Sequence, residues 1–430
     1  MPEKYRHYRD TLPNGLRVVT VEAPHLHSVA LALYAKAGSR FETPANNGLS
    51  HFLEHMFFRG SARYPTSYAL NDAIEQRGGT LQATTSRDCT AFYLKTHPTL
   101  VPDGIEILGE LFRAPRFAQI DIERQIVMEE ILEDYDEDDT DICVEDIART
   151  ALWPGHPLGL KIIGTRKNVL GFTKEDLERH RQAFYASGNL VFTAVGALSR
   201  EEVLREAERH LAHFAPGPEV PMVAPPDEET APRIQLVERD DQQTEVVISF
   251  RAFGERDPDY TALQVLRRVL DDGISSRLQK HICEDLGLAY DVGAGTECWA
   301  DAGAFDIDVS VEKKKTERIV RELLTVVRAL RDEGPREHEL EKVKRRFGWD
   351  LEFAKDSVSD LSSWFGATEL FCAAKPFEAQ FEEVAALTAA DVKRVAARVL
   401  KPERMAVAAL GPMRNVMKKR VRDAVAEFAS

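Results

Sequence analysis

The sequence contains no C-x-x-C pair, no long uncharged apolar run and no surplus of positive charge, and each absence narrows the functions open to it. Its five cysteines, Cys89, Cys143, Cys283, Cys298 and Cys372, are scattered and odd in number. A disulfide framework is therefore not expected, and a reducing compartment is. Without about 20 consecutive apolar residues, no membrane-spanning helix is expected. The opening MPEKYRHYRD has no apolar core of a secretory signal, which points to a cytoplasmic location. Lys and Arg number 56 against 71 Asp and Glu, a net charge of −15. That balance argues against nucleic-acid binding, because neutralising phosphates takes cations. Neither a G-x-x-x-x-G-K-[ST] loop nor a G-x-S-x-G elbow occurs, so nucleotide binding and a serine nucleophile have no motif behind them.

What is present begins with length. A chain of 430 residues exceeds one ordinary core, so two or more domains are expected. The clearest boundary is FAPGPEVPMVAPPDEETAPR, Phe214–Arg233, with prolines at 216, 218, 221, 225, 226 and 232. Such a stretch suits neither a helix interior nor a central strand and reads as a semi-rigid linker. It divides the chain into residues 1–213, a linker 214–233 and residues 234–430. The halves resemble each other. RVVTVEA and SVALALYAKAG in the first match RIQLVER and TEVVISFRAF in the second. NLVFTAVGAL matches RMAVAALGPM near the two ends, and the second half is expected to open its first helix at about Pro258. The expectation is an α+β fold of two similar, duplicated α/β-sandwich domains, with mixed, largely antiparallel sheets covered by helices.

The run GLSHFLEHMFFRG carries the chemistry. Gly48 and Ser50 can start a helix there, Ser50 near a cap position. On that helix His51 and His55 are i and i+4, one turn apart on one face, with Glu54 beside them. This is H-x-x-E-H, the inverse of the commoner H-E-x-x-H zinc motif. The flanking Leu49, Phe52, Leu53, Met56 and Phe57 are apolar, and a His-Glu-His set in a buried helix requires a partner. A catalytic zinc site takes three protein ligands and leaves one position for water. DIERQIVMEEILEDYDEDD reads as a carboxylate-rich helix on which Glu123 and Glu130, two turns apart, face the same way. Glu130 could close the site, with Glu123 orienting a ligand from outside. Zinc follows from ligand type, and manganese or cobalt accept a similar set.

The stretch KAGSRFETPANNGLSHFLEHMFFRGSARYP resembles the signature region of the insulinase/pitrilysin family of zinc metallopeptidases, in the half-length branch similar to mitochondrial processing peptidase and its bacterial relatives. The resemblance implies His51, His55 and Glu130 as zinc ligands, Glu54 as the general base and Glu123 as a second acidic residue beside them. GGTLQATTSRDCTAFYLK is similar to the family's edge strand that pairs with bound peptide, which implies substrate contacts at Gln82, Ala83 and Thr84. GISSRLQKHICEDLGLAYDVGA is similar to the segment that faces the zinc from across a clamshell chamber, and implies that Tyr290 hydrogen-bonds the oxyanion. Two positions depart from the pattern. Gln82 stands where the family often has Asn, and Cys283 where it often has Arg, seven residues before the tyrosine. The implied activity is a zinc-dependent endopeptidase acting on peptides or unstructured segments. The implied assembly is a homodimer, with a heterodimer containing a sister subunit, or a non-catalytic scaffold, as the alternative.

Overall fold

The computed structural model describes residues 5–226 and 230–430. They form two compact units, each built on one sheet. The first unit comprises Met1–Ile131, Leu160–Val223 and Leu351–Lys375, and the second Leu132–Gly159, Ala224–Asp350 and Pro376–Ser430.

The first sheet contains β1 (Arg6–Thr11), β2 (Arg17–Glu22), β3 (Val29–Ala35), β4 (Thr80–Thr85), β5 (Thr90–Thr96) and β6 (Leu190–Gly196), in the order β1-β2-β6-β3-β5-β4. The second contains β7 (Arg233–Glu238), β8 (Gln243–Ala252), β9 (Val292–Cys298), β10 (Gly303–Glu312) and β11 (Met405–Gly411), in the order β7-β11-β8-β10-β9. Subtracting five from each label of the second order gives β2-β6-β3-β5-β4, so the two sheets share one topology and β1 is an addition to the first. In each sheet one pair is parallel, β2 with β6 and β7 with β11. The other pairs are antiparallel. The duplicated α+β architecture read from the repeated strand runs is therefore the architecture observed.

Burial explains the strand sequences. β3 and β6 are buried along their whole length, and a strand covered on both faces needs an apolar run rather than alternation. On one face Leu31 packs close to Gly104 of the helix Val101–Arg113. On the other the Tyr34 hydroxyl lies 3.0 Å from Ser362 Oγ, in the helix Val358–Ser362.

The units are not contiguous in sequence. The helix Val144–Leu152 belongs to the second unit, where Val144, Ile147 and Ala148 pack against Val247, Ala408 and Leu410. Its counterpart late in the second repeat, Val358–Ser362, belongs to the first unit. The physical need is the same in both cases, since a sheet face of apolar side chains requires a cover. The Pro-rich stretch divides between the units. Val220 N–H donates to Asn189 Oδ1 at 2.9 Å, and Thr230 N–H to the Glu403 carbonyl at 2.9 Å. The first helix of the second repeat starts at Tyr260, two residues beyond the expected Pro258, because the Asp257 carbonyl and carboxylate hold residues 257–260 in a turn. Among the described residues no helix is long and apolar enough to cross a membrane.

Candidate metal centre

The helix carrying the H-x-x-E-H motif spans Leu49–Phe57. Its apolar side is fixed by an aromatic cluster in which Phe57 lies 5.4 Å from Phe92, 4.8 Å from Phe112 and 5.1 Å from Tyr185, centroid to centroid. Ser50 does not cap this helix. It lies inside the first turn, and the cap position falls on Gly48 at φ +96°, where a Cβ would sit 2.6 Å from the Ile163 carbonyl oxygen. The orphan amides are met from a distance instead. Glu42 accepts from Gly48 N–H and Ser50 N–H at 2.7 Å each, and from Asn47 Nδ2 at 3.0 Å. Burial pushes the Glu42 carboxyl above its ordinary range, against those three bonds.

On the other side of the same turn, Ser50 Oγ lies 3.0 Å from His180 Nε2. His180 is buried in the helix Lys174–Phe184, and burial pulls it from 6.5 down to about 3. The folded protein thus keeps His180 neutral while the unfolded chain protonates it below pH 6.5. Stability is fully present above that pH and falls as pH drops toward 3, by about 1.4 kcal/mol per pH unit. His180→Gln retains a donor and an acceptor but does not titrate. Chemical denaturation between pH 6.5 and 4.5 is expected to show wild type losing about 2–3 kcal/mol more than the variant. Parallel slopes would remove His180 from the acid sensitivity of this helix.

The helix Ile120–Glu130 brings the carboxylates. Glu123 and Glu130 turn inward, while Glu129 and Glu133 are exposed. The two inward carboxylates meet different atoms of the motif. Glu123 Oε1 is 2.8 Å from His55 Nδ1, and its other oxygen accepts from Arg59 Nε. An ionised carboxylate only accepts, so His55 Nδ1 is the donor and the Nε2 lone pair is left facing outward. Glu130 Oε1 is 3.4 Å from His51 Nε2, and Glu130 Oε2 is 3.6 Å from His55 Nε2. The two imidazoles meet edge-on at 4.6 Å, and among the described residues the buried His51 Nδ1 has no hydrogen-bond partner.

These spacings test whether a metal fits. Zinc bonds of about 2.0–2.2 Å in a tetrahedron put ligand atoms about 3.3–3.6 Å apart. A charge-assisted hydrogen bond would instead draw N and O to about 2.7–2.9 Å. The separations of 3.4 and 3.6 Å match the ion rather than the bond, and all three residues offer a ligand atom within 4.8 Å of the others. Three protein ligands leave the fourth position open. The electrostatics agree with a cation site. Burial pulls His55 down, but the Glu123 bond and the charges of Glu130 and Glu54 outweigh it, so His55 lies above its ordinary value. Glu130 is held low by His51, and Glu123 is held low by His55 and Arg59 against the upward pull of burial.

Glu54 is buried on the same helix, and its Oε2 accepts from Thr85 Oγ1 at 2.6 Å. Thr85 ends β4, an edge strand of the first sheet, which among the described residues pairs only with β5. Gln82, Ala83 and Thr84 lie along this edge, with Gln82 and Thr84 exposed. The structure thus gathers His51, His55, Glu130, Glu123 and Glu54 at one point, with Gln82–Thr84 on the strand that ends at Thr85. Tyr290 belongs to the second unit, where it is 99% exposed at the rim of a depression with Glu145, Glu245, Asp291 and Asp308. Burial and then the Glu145 charge push both Asp308 and Glu245 above their ordinary values. Arg277 is occupied by a two-point pair with Glu339, at 2.9 and 2.7 Å. Sequence reasoning missed Glu42, Arg59, Thr85 and His180. Only Thr85 carried a signal, as the next residue along the named strand.

The chain is similar to known proteins along most of its length. The family model Insulinase (Peptidase family M16) matches residues 17–166, and the model Peptidase M16 inactive domain matches residues 171–347. The chain is 28% identical over 427 residues to an uncharacterized zinc protease of Streptomyces coelicolor, covering 97% of this chain and 92% of that one. It is 28% identical over 424 residues to the mitochondrial-processing peptidase subunit beta of Dictyostelium discoideum, covering 94% and 88%. In fold it is similar to a protease from Helicobacter pylori, with a TM-score of 0.89 at 22% identity over 95% of this chain and 100% of that one. A peptidase M16 inactive domain from Pseudomonas fluorescens gives 0.87 at 22% identity over 95% and 99%.

Proposed function

Because the chain belongs to the insulinase family of peptidases, we propose that it is a zinc-dependent endopeptidase acting on peptides or unstructured segments of polypeptide. The observation that carries this reading is the convergence of two imidazole Nε2 atoms and the Glu130 carboxylate at ion spacing, with Glu54 on the same helix. His51, His55 and Glu130 hold the metal, and Glu123 fixes the tautomer of His55. A zinc ion held by these three residues would supply a more acidic bound water and a Lewis acid for the scissile carbonyl. Glu54 takes the proton of the attacking water and delivers it to the leaving amine.

The open edge of β4 supports a substrate lying as an added strand, held by its main chain along Gln82, Ala83 and Thr84. Main-chain pairing tolerates many sequences and demands an extended, unfolded segment, which is why peptides rather than folded proteins are assigned as substrates. We assign the chemistry to the domain 1–213 of one chain and closure of the substrate chamber to 234–430 of a second chain, whose Tyr290 donates to the oxyanion in trans. A dimer follows from this assignment. The relative named as a subunit favours the heterodimeric form as a second reading, and a homodimer remains the first because this chain carries both the metal set and Tyr290.

The test uses a mixture of unstructured peptides with products read by mass spectrometry. Cleavage is expected, abolished by a chelator and restored by about one equivalent of zinc. Cleavage that persists after the metal is shown to be gone would overturn the proposal.

A further inference from the structure

Resting on the reading of Glu54 as the base, we infer that Thr85 is its positioning residue, the group that fixes the carboxylate and ties it to the substrate-binding strand. Thr85 is the last residue of β4 and its buried end, where the preceding Thr80–Thr84 are exposed or half-buried. Its hydroxyl has one proton and two neighbours. Glu54 Oε2 lies at 2.6 Å, and Thr90 Oγ1, on the residue directly across the strand pair, lies at 3.4 Å. Thr90 spends its own proton on the Ala37 carbonyl at 3.1 Å. The short contact is therefore the Thr85 donation, at the distance of a charge-assisted O–H···O⁻ bond.

Two consequences follow from chemistry. The β-branch restricts χ1 of Thr85, so the donor is held in one place by the strand. With Oε2 engaged, the plane of the Glu54 carboxylate is set and Oε1 is the oxygen left to meet a water. A buried carboxylate with no such donor would be free to rotate about its side-chain bonds, and the geometry for proton transfer would be lost in most of its conformers. Because Gln82, Ala83 and Thr84 run directly into Thr85, a displacement of β4 by an added strand would be felt at the base through this bond.

The experiment compares Thr85→Val and Thr85→Ser with wild type. Valine keeps the shape and removes the donor; serine keeps the donor and removes the methyl. Thr85→Val is expected to lower kcat about 10- to 100-fold, with KM changed by no more than about twofold. Thr85→Ser should restore most of kcat, and metal content and Tm should equal wild type in both. A readout independent of activity is the carbon-13 resonance of the Glu54 side-chain carboxyl, identified by its loss in Glu54→Gln. It should shift in the valine protein and return in the serine protein. Undiminished kcat with an unmoved resonance would overturn the inference, as would equal losses in both variants accompanied by a fall in Tm. Were wild type inactive on peptides while the resonance moved as described, the reading of function would fail and the positioning by Thr85 would stand.

Discussion

Glu54→Gln is expected to fold, to bind one metal ion per chain and to lose about 10²- to 10⁴-fold in kcat. The amide has the size of the carboxylate, and its oxygen can still accept from Thr85 Oγ1, so the contact seen at 2.6 Å persists. What disappears is the ability to take a proton. Glu54 is not among the three residues at ion spacing, so metal content, read by elemental analysis, should not change. KM should change little, because the interaction removed is made with a transferring proton rather than with the bound peptide. Retained cleavage would exclude Glu54 as the base. Loss of metal together with activity would mean that Glu54 supports the ligands, and the catalytic assignment would then have to be made on another variant. Running both measurements on the same preparation separates these outcomes.

The parts of this site that could be read from the sequence share one property: their geometry is local. His51 and His55 are one helical turn apart, and any helix through them puts both rings on one face. Glu123 and Glu130 are two turns apart on one helix, so both carboxylates share one face whatever the helix packs against. Glu130 as the closing group and Glu123 as the orienting one were named from the sequence, but the ring atoms each meets were not, because those depend on how the two helices cross. The repeated strand order was legible for a similar reason, as the same apolar runs recur in the same sequence.

Non-local arrangements were hidden. Ser50 looked like a helix cap because serine is a favoured N-cap residue. Glu42, six residues before Gly48 and outside any capping spacing, does that work across a turn that only a left-handed Gly48 permits. His180 reads as one more polar position on a charged helix, and its burial at Ser50 comes from packing between elements distant in sequence. The placement of 132–159 was equally invisible. Val144, Ile147, Ala148 and Ala151 give the helix Val144–Leu152 an apolar stripe, and a stripe states that a helix must be covered without naming the sheet that covers it.

That helix is pinned by a group whose removal should destabilise the second unit severely. Arg149 is 7% exposed. Its guanidinium grips Asp306 at two points, 2.8 and 2.5 Å, and reaches Glu297 at 2.8 Å. Asp306 lies on β10 and Glu297 on β9, so one arginine clamps the covering helix to two neighbouring strands. Burial pulls the Arg149 proton affinity down, but the charges of Asp306 and Glu297 outweigh it and hold the group above its ordinary value. Arg149→Met fills the space and leaves two carboxylates facing each other with no cation. The expected cost is about 3–5 kcal/mol, most of it from the stranded charges rather than from the lost attraction. Arg149→Lys keeps the charge and loses the two-point grip, so it should fall between. The decisive comparison is Arg149→Met combined with Asp306→Asn and Glu297→Gln, which removes the stranded charges and should recover a large part of the loss. Urea unfolding followed at Trp153 and Trp299, which lie 5.2 Å apart in this unit, reports on it directly. If Arg149→Met unfolded at the wild-type midpoint, the helix would have to be held by its apolar stripe alone.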